Sequence, residues 1–376
     1  MTAKPVTSGV VSLDRWLMNE DLLTAIALRL RRSRGAWTPG VDGVVGHDLS
    51  PADCRALAIE LAGEVRNGTH EPGALRELFR RRAGKVRRFK VPPFRDRVLQ
   101  AALLQVMEPH IACQLAPGTY GVRGSDAHLA VSDVAVALEA AARMQELDGQ
   151  VHLVKTDVAR FFDSIPLVPL RKLIRRTFGG RRMNRLIAAI LEQGQRSPGC
   201  GLPQGAPLSP LLANLYLSDL DWFFEHRTTV SCARYVDDFL VVAPGGLDRA
   251  NANLLELDRQ VHLLGLKLNM EKTFIAPATD GADFLGFRLR LGAQGVEVTP
   301  SERSVARLKK RLDEVPRDGN TSVHLHSAKV AWAAYFSDLV PEASAIGDRL
   351  VAAELAARLL RQPVAKPPSG LPEEPA

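Results

Sequence analysis

The stretch Ala233-Arg234-Tyr235-Val236-Asp237-Asp238-Phe239-Leu240-Val241-Val242-Ala243 constrains the fold more than any other part of the chain. Two adjacent acids stand between two short apolar runs rich in Val, Leu, Tyr and Phe, residue types that favour strands. The acids fall where a turn belongs, so the spacing predicts a β-hairpin with carboxylates at its tip. Asp is also an ordinary turn residue, because its side chain bonds its own backbone. Alone, this stretch fits a simple turn as well as a site.

A second stretch changes that balance. In Val151-His152-Leu153-Val154-Lys155-Thr156-Asp157 an apolar run again ends on an acid, and the following residues to Ile165 read as a turn into a helix. If the two strand ends lie side by side in one sheet, Asp157, Asp237 and Asp238 converge. Three carboxylates so close repel one another unless cations neutralise them. Hard oxygen donors select Mg²⁺ or Mn²⁺ over zinc. A pair of such ions, roughly 4 Å apart, is the clamp for in-line phosphoryl transfer.

These residues carry a family resemblance. Tyr235-Val236-Asp237-Asp238 resembles the Tyr-x-Asp-Asp signature of reverse transcriptases, and Asp157 matches the first metal-binding Asp of their palm. Pro39-Gly40-Val41-Asp42-Gly43-Val44 is similar to the segment preceding the fingers in group II intron-type enzymes. The segment Gly84–Gln100 resembles the Gly-Lys-x-Arg…Pro…Asp-Arg…Gln pattern of bacterial reverse transcriptase fingers. Its core is the densest basic stretch, Phe79 to Pro92, where cations interleave with aromatics; phosphate binding and a solvated charge run are the two readings of such a stretch. Tyr120-Gly121-Val122-Arg123-Gly124-Ser125 resembles the next fingers motif. Pro198 to Leu217 contains Leu202-Pro203-Gln204-Gly205, Ser209-Pro210 and Ala213-Asn214, in the order of the family's Leu-Pro-Gln-Gly…Ser-Pro…Ala-Asn motif. Gly265 to Thr273, Phe284-Leu285-Gly286-Phe287 and Trp332-Ala333-Ala334-Tyr335-Phe336 match the closing palm and thumb motifs.

The resemblance implies an α+β right-hand polymerase fold: fingers, a palm with an antiparallel sheet, and a helical thumb. The expected domains are an N-terminal helical extension (1–78), fingers (79–150 with part of 167–205), palm (151–290), thumb (291–361) and a disordered Pro-rich tail (362–376). It implies an RNA-directed DNA polymerase using two Mg²⁺, with Mn²⁺ as a substitute, held by Asp157, Asp237 and Asp238. Lys272 joins them as a catalytic cation near the pyrophosphate leaving group; an ordinary surface lysine is the alternative. Nucleotide contacts are expected from Arg87, Lys90, Arg123, Gln204, Gly205 and Phe162, whose ring would exclude a 2′-hydroxyl. One of Phe161 and Phe162 is expected in the core. Lys85, Arg88, Tyr235, Gly286, Lys309 and Lys310 are expected to touch nucleic acid. Lys90 departs from the family, which has a small residue there.

The partners implied are an RNA template, a DNA or RNA primer and dNTPs, with a dedicated structured RNA or a defence or CRISPR protein as further candidates, and no membrane. The biological setting expected is a bacterial retroelement, antiviral defence or CRISPR spacer acquisition. A retron-type, template-independent or protein-primed polymerase is an alternative. From other classes, a nucleotide cyclase and a nucleic-acid-binding protein with an inactive polymerase site stay open.

Composition agrees without deciding. The 376 residues carry a formal charge of +7, which suits nucleic acid, and a hydrophobic content of 46% without a long apolar run. Four scattered cysteines form no C-x-x-C pair, so neither a zinc site nor a disulfide framework is expected. Met1 to Ser12 lacks a signal-peptide layout, and a cytoplasmic location is expected. No Cys/His endonuclease module is expected after the thumb motifs.

Along the chain, the pattern predicts one amphipathic helix over 13–34, further helices over 51–67, 128–146, 248–265 and 343–361, and a basic thumb helix over 300–315.

Overall fold

The computed structural model describes residues 11–82, 85–122, 126–148, 150–195, 197–203, 205–227, 230–316, 318 and 320–360. The chain divides into two units, Met1–Ala278 and Thr279–Ala376. The Pro-rich tail lies outside the described residues.

In the first unit, strand β1 (Val11–Ser12) leads into helices α1 (Asp14–Leu17) and α2 (Glu20–Leu30). The single helix expected over 13–34 is therefore broken. Asn19 breaks it, its side chain accepting the Leu22 N–H at 2.8 Å and so capping α2. The apolar pattern runs through both helices and hides the cap. Helix α3 (Pro51–Asn67) keeps its expected limits. Ser50 and Asp53 cap each other's backbone N–H groups, Pro51 opens the helix, and Gly68 closes it at φ 71°.

Strands β2 (Arg76–Arg82) and β3 (Lys85–Val91) pair as an antiparallel hairpin, with Arg80 opposite Arg87 and Arg82 opposite Lys85. Helix α4 (Phe94–Ala112) follows, burying Val98, Leu99, Ala102, Leu103 and Met107 in the main core. Next come β4 (Thr119–Tyr120), α5 (Ala127–Asp148), β5 (His152–Asp157), α6 (Phe161–Ser164), α7 (Leu167–Thr177), β6 (Phe178–Gly179), α8 (Arg181–Gly194) and α9 (Ser209–Glu225). The unit closes with β7 (Ser231–Tyr235), β8 (Asp238–Ala243), α10 (Gly246–Leu263) and β9 (Phe274–Pro277).

Five of these strands form the central sheet, in the order β4-β7-β8-β5-β9. Pairing is antiparallel except for the short β4–β7 contact. Helices α5, α9 and α10 pack against the sheet, and Leu153, Val154, Phe239, Leu240, Val241 and Val242 are almost wholly buried. Burial of successive residues explains why β8 reads as a continuous apolar run rather than an alternating one.

The second unit opens with a three-stranded meander, β10 (Ala282–Phe284), β11 (Phe287–Gly292) and β12 (Gly295–Pro300). Three helices follow: α11 (Glu302–Asp313), α12 (Thr321–Phe336) and α13 (Ala343–Leu360). Leu308, Leu312, Leu325 and Ala328 form its helical core. The Trp-x-x-Tyr-Phe motif locks α12 to the meander. The Phe336 ring lies 4.8 Å from Phe287 and 4.7 Å from Trp332, and the Tyr335 hydroxyl donates to Leu285 O at 2.8 Å. The architecture is α+β, as the sequence implies. Among the described residues, no helix is long and apolar enough to cross a membrane.

Candidate active site

The register of the central sheet brings the acids together. Strand β5 pairs with β8 from His152–Ala243 down to Asp157–Asp238, so those two aspartates are cross-strand partners at one end of the sheet. Tyr235 pairs with Asp238, leaving Val236 and Asp237 as the two-residue turn of the hairpin. The Asp237 carbonyl accepts the Val158 N–H at 3.1 Å, tying the turn to the end of β5. Val236 stands at φ 61°, a conformation glycine usually supplies in such turns and a β-branched residue rarely adopts.

A second segment reaches the same end. Ala159 N–H donates to Lys267 O at 2.8 Å, and Asn269 N–H donates to Asp157 O at 2.8 Å. The turn Met270–Lys272 that follows puts the Lys272 ammonium on Asp157 Oδ2. Lys155, two residues before Asp157 on the same strand face, makes an ion pair with Asp238. Lys155 stands outside the residues that the sequence motifs single out. Its signal was the period of two along β5, which places it beside Asp157 between buried Val154 and Thr156.

Burial pushes the Asp237 carboxyl above the ordinary carboxylate range, and the charge of Asp157 adds to the push. Its own backbone N–H, Lys272 and Lys155 act in the opposite sense. Asp157 Oδ1 is buried and has no hydrogen-bond partner. An orphaned carboxylate oxygen among hard oxygen donors fits a divalent cation in its chemistry. The side chains are not drawn into a ligand cage: among the described residues, no group of three or more His, Cys, Asp or Glu is arranged to hold a metal ion.

A family model described as reverse transcriptase (RNA-dependent DNA polymerase) matches residues 74–289, more than half of the chain and all of this site. The chain belongs to the reverse transcriptase family. Two curated relatives are similar to it over about three quarters of its length. Protein YkfC of Escherichia coli K12 is 29% identical over 321 residues, covering 74% of this chain and 82% of that protein. The group II intron-encoded protein LtrA of Lactococcus lactis is 23% identical over 355 residues, covering 75% of this chain but only 57% of LtrA. Among solved structures, a Candida albicans telomerase bound to a TWJ fragment of telomeric RNA gives a TM-score of 0.45 at 11% identity, covering 78% of this chain and 61% of that one. That likeness is too loose to add to the family assignment.

The remaining residues singled out in this reverse transcriptase fall into three groups. Near the aspartates in sequence, Phe161 is core and Phe162 is only half-buried, their rings 5.4 Å apart. The Phe162 carbonyl accepts the Leu202 N–H at 2.7 Å, bringing the loop before α9 to this helix. In that loop Gly205 has φ 101°, and a Cβ there would lie 3.5 Å from the Phe89 ring. Tyr235 is half-buried, its ring 3.5 Å from the position of a Cβ on Gly121.

Lys90 forms the second group. Its ammonium donates to Gly194 O at 3.3 Å and Gln195 O at 2.9 Å, closing the C-terminal end of α8. Lys85, Arg87 and Arg88 lie on β3, while Arg123 and Gln204 lie outside the described residues.

The third group belongs to the second unit. Lys309 and Lys310 are exposed on α11, opposite the buried Leu308 and Leu312. Gly286 turns between β10 and β11 at φ 94°, where a Cβ would meet Ser304 Oγ at 3.0 Å.

Proposed function

We propose that this reverse transcriptase copies an RNA template into DNA by two-metal nucleotidyl transfer, with Asp157, Asp237 and Asp238 as the residues that would hold the ions. The observation that carries the reading is the cross-strand pairing of Asp157 with Asp238 beside the Asp237 turn. Bound there, Mg²⁺, or Mn²⁺ in its place, would supply positive charge to activate the primer 3′-hydroxyl and offset charge on the leaving oxygen.

The chain's own residues do the rest. The primer 3′-hydroxyl attacks the α-phosphate of a dNTP and pyrophosphate leaves. Lys272 already lies against Asp157 and is placed to meet negative charge developing on the departing group. Phe162, half-buried at the start of α6, offers a ring edge that a ribose 2′-hydroxyl would strike. Arg87, Arg123, Gln204 and Gly205 line the incoming nucleotide, and Lys90 joins them on leaving the Gly194 and Gln195 carbonyls. Lys85, Arg88, Tyr235, Gly286, Lys309 and Lys310 contact the template–primer. The β2–β3 hairpin sets cation positions opposite one another in its register, an arrangement that an anionic ligand relieves. Domain roles are proposed on the same division: an N-terminal helical extension over 1–78, fingers over 79–150 with part of 167–205, palm over 151–290 and thumb over 291–361.

The similarity to a protein described as group II intron-encoded favours a setting derived from a bacterial retroelement. Antiviral defence or CRISPR spacer acquisition, with a structured RNA or a protein partner in the cytoplasm, is the more specialised form of that setting.

The test is primer extension on poly(rA)/oligo(dT) with dTTP and Mg²⁺, comparing the wild type with Asp237→Ala/Asp238→Ala. Extension by the wild type alone is expected. Duplex binding without extension, in Mg²⁺ or Mn²⁺, sinks the reading and leaves a nucleic-acid-binding protein.

A further inference from the structure

Among the described residues, the largest fully buried side chain is an arginine, and it sits beside the proposed catalytic turn. Arg234, at the end of β7, is 0% exposed. A charged group so placed is costly unless every donor is matched. Here the matching is extensive. Arg234 Nε donates to Asp221 Oδ1 at 2.7 Å, and Nη2 donates to Asp221 Oδ2, a bidentate pair. Nη1 donates to Asn214 Oδ1 at 2.7 Å and to Val236 O at 2.7 Å. Thr119 Oγ1 donates to Asp221 Oδ2 at 2.8 Å, and the Arg234 N–H donates to Gly118 O at 2.8 Å.

Two of these partners, Asn214 and Asp221, lie on one helix, with Ser218 between them. Asn214, Ser218 and Asp221 follow one another at helical spacing on the buried face of α9, a polar stripe in an otherwise apolar helix. Such a stripe weakens a core unless it performs a task. Its only described arginine partner spans from α9 to the Val236 carbonyl. That carbonyl belongs to the residue held at φ 61°, immediately before Asp237 and Asp238.

We propose that Arg234, anchored on Asp221 and Asn214, is a positioning residue that clamps the left-handed Val236 peptide and so fixes the direction in which Asp237 and Asp238 project. This deepens the proposed function and rests on it. The strain of a β-branched residue at positive φ persists only where surrounding contacts over-determine it. The guanidinium supplies those contacts through a rigid fork. A lysine has one nitrogen and cannot bridge Asp221, Asn214 and Val236 O at once.

The test uses the full chain and four proteins: wild type, Arg234→Lys, Val236→Gly and the double variant. Glycine adopts positive φ without strain, so it relieves the need for the clamp. In single-nucleotide incorporation, Arg234→Lys should lower kcat by about 10- to 100-fold, the cost of an ångström-scale misplacement, while KM for dNTP stays within about 3-fold. In the Val236→Gly background the same change should cost less than about 3-fold. Equal losses in both backgrounds, or a fall in kcat that tracks Tm, overturn the proposal.

Hydrogen exchange across residues 235–238 gives a readout independent of activity. Exchange about 10-fold faster in Arg234→Lys, without change in β5, is expected; unchanged protection overturns the clamp even if the wild type extends no primer. Should Arg234→Lys fail to fold, Asn214→Ala removes one anchor and leaves the Asp221 pair. It is then read by the same exchange measurement, with the same two outcomes.

Discussion

Phe161 and Phe162 are neighbours in the chain with different surroundings. Phe161 is 3% exposed and belongs to the core, while Phe162 is half-buried beside it. Phe162→Ala should lower discrimination between dNTP and rNTP, measured as a ratio of kcat/KM values, by about 10- to 100-fold. Phe161→Ala should instead reduce stability, by about 3–5 kcal/mol. An unchanged ratio in Phe162→Ala removes its role as a gate. A second residue-scale effect lies at His70, whose side chain is nearly buried. Its Nδ1 lies 2.7 Å from Glu64 and its Nε2 3.3 Å from Asp96. Burial alone would push the imidazole pKa down, but hydrogen bonds and charge from Asp96 and Glu64 outweigh it and hold the pKa above the ordinary value of 6.5. The folded state therefore favours the imidazolium. Its stabilisation is complete below that value and is lost as pH rises through the higher folded pKa. Denaturation midpoints should fall from pH 6.5 upward, and His70→Gln should flatten that part of the curve. The three aspartates were legible in sequence because their message is local: an apolar run that ends on an acid. Arg234 was not, since it reads as an ordinary strand residue and its meaning depends on Asp221 and Asn214 of another helix.

Among elements, the loop before α3 shows how tightly the N-terminal segment is seated. A Cβ on Gly40 would lie 2.6 Å from Pro93 Cα, and one on Gly46 would lie 2.2 Å from the Phe94 ring. Arg97 of α4 adds hydrogen bonds to Gly35 O at 2.8 Å and Thr38 O at 3.1 Å. Gly46→Ala must displace a buried ring, so a loss of about 1–3 kcal/mol is expected in urea denaturation; a neutral result would show that the loop lifts freely from α4. Helix α3 was readable to the residue because Ser50, Pro51, Asp53 and Gly68 mark its ends chemically. The break between α1 and α2 was not, because Asn19 interrupts a pattern whose hydrophobic period continues across it. The sheet order was equally hidden. Strand β9 comes last among the strands of the central sheet yet pairs beside β5, and only tertiary packing decides that.

For the whole molecule, the formal charge of +7 predicts that duplex affinity depends steeply on salt. Each phosphate neutralised contributes a slope of about −0.9 in log K against log salt for B-form DNA. If Lys309 and Lys310 touch the backbone, Lys309→Gln/Lys310→Gln should make the slope shallower by about one to two units. An unchanged slope would move the contact elsewhere. Lys155 and Lys272 bear on the molecule at this scale too. Each already sits on one of the carboxylates that would otherwise crowd the sheet end. Two lysine cations thus face the three carboxylates of the sheet end from within the fold itself. Adding EDTA should move Tm by less than about 2 °C, because an ion that must displace these lysines binds the folded state weakly, and a weakly bound ligand stabilises it little. A reverse transcriptase built this way is expected to stand folded before any cation is bound.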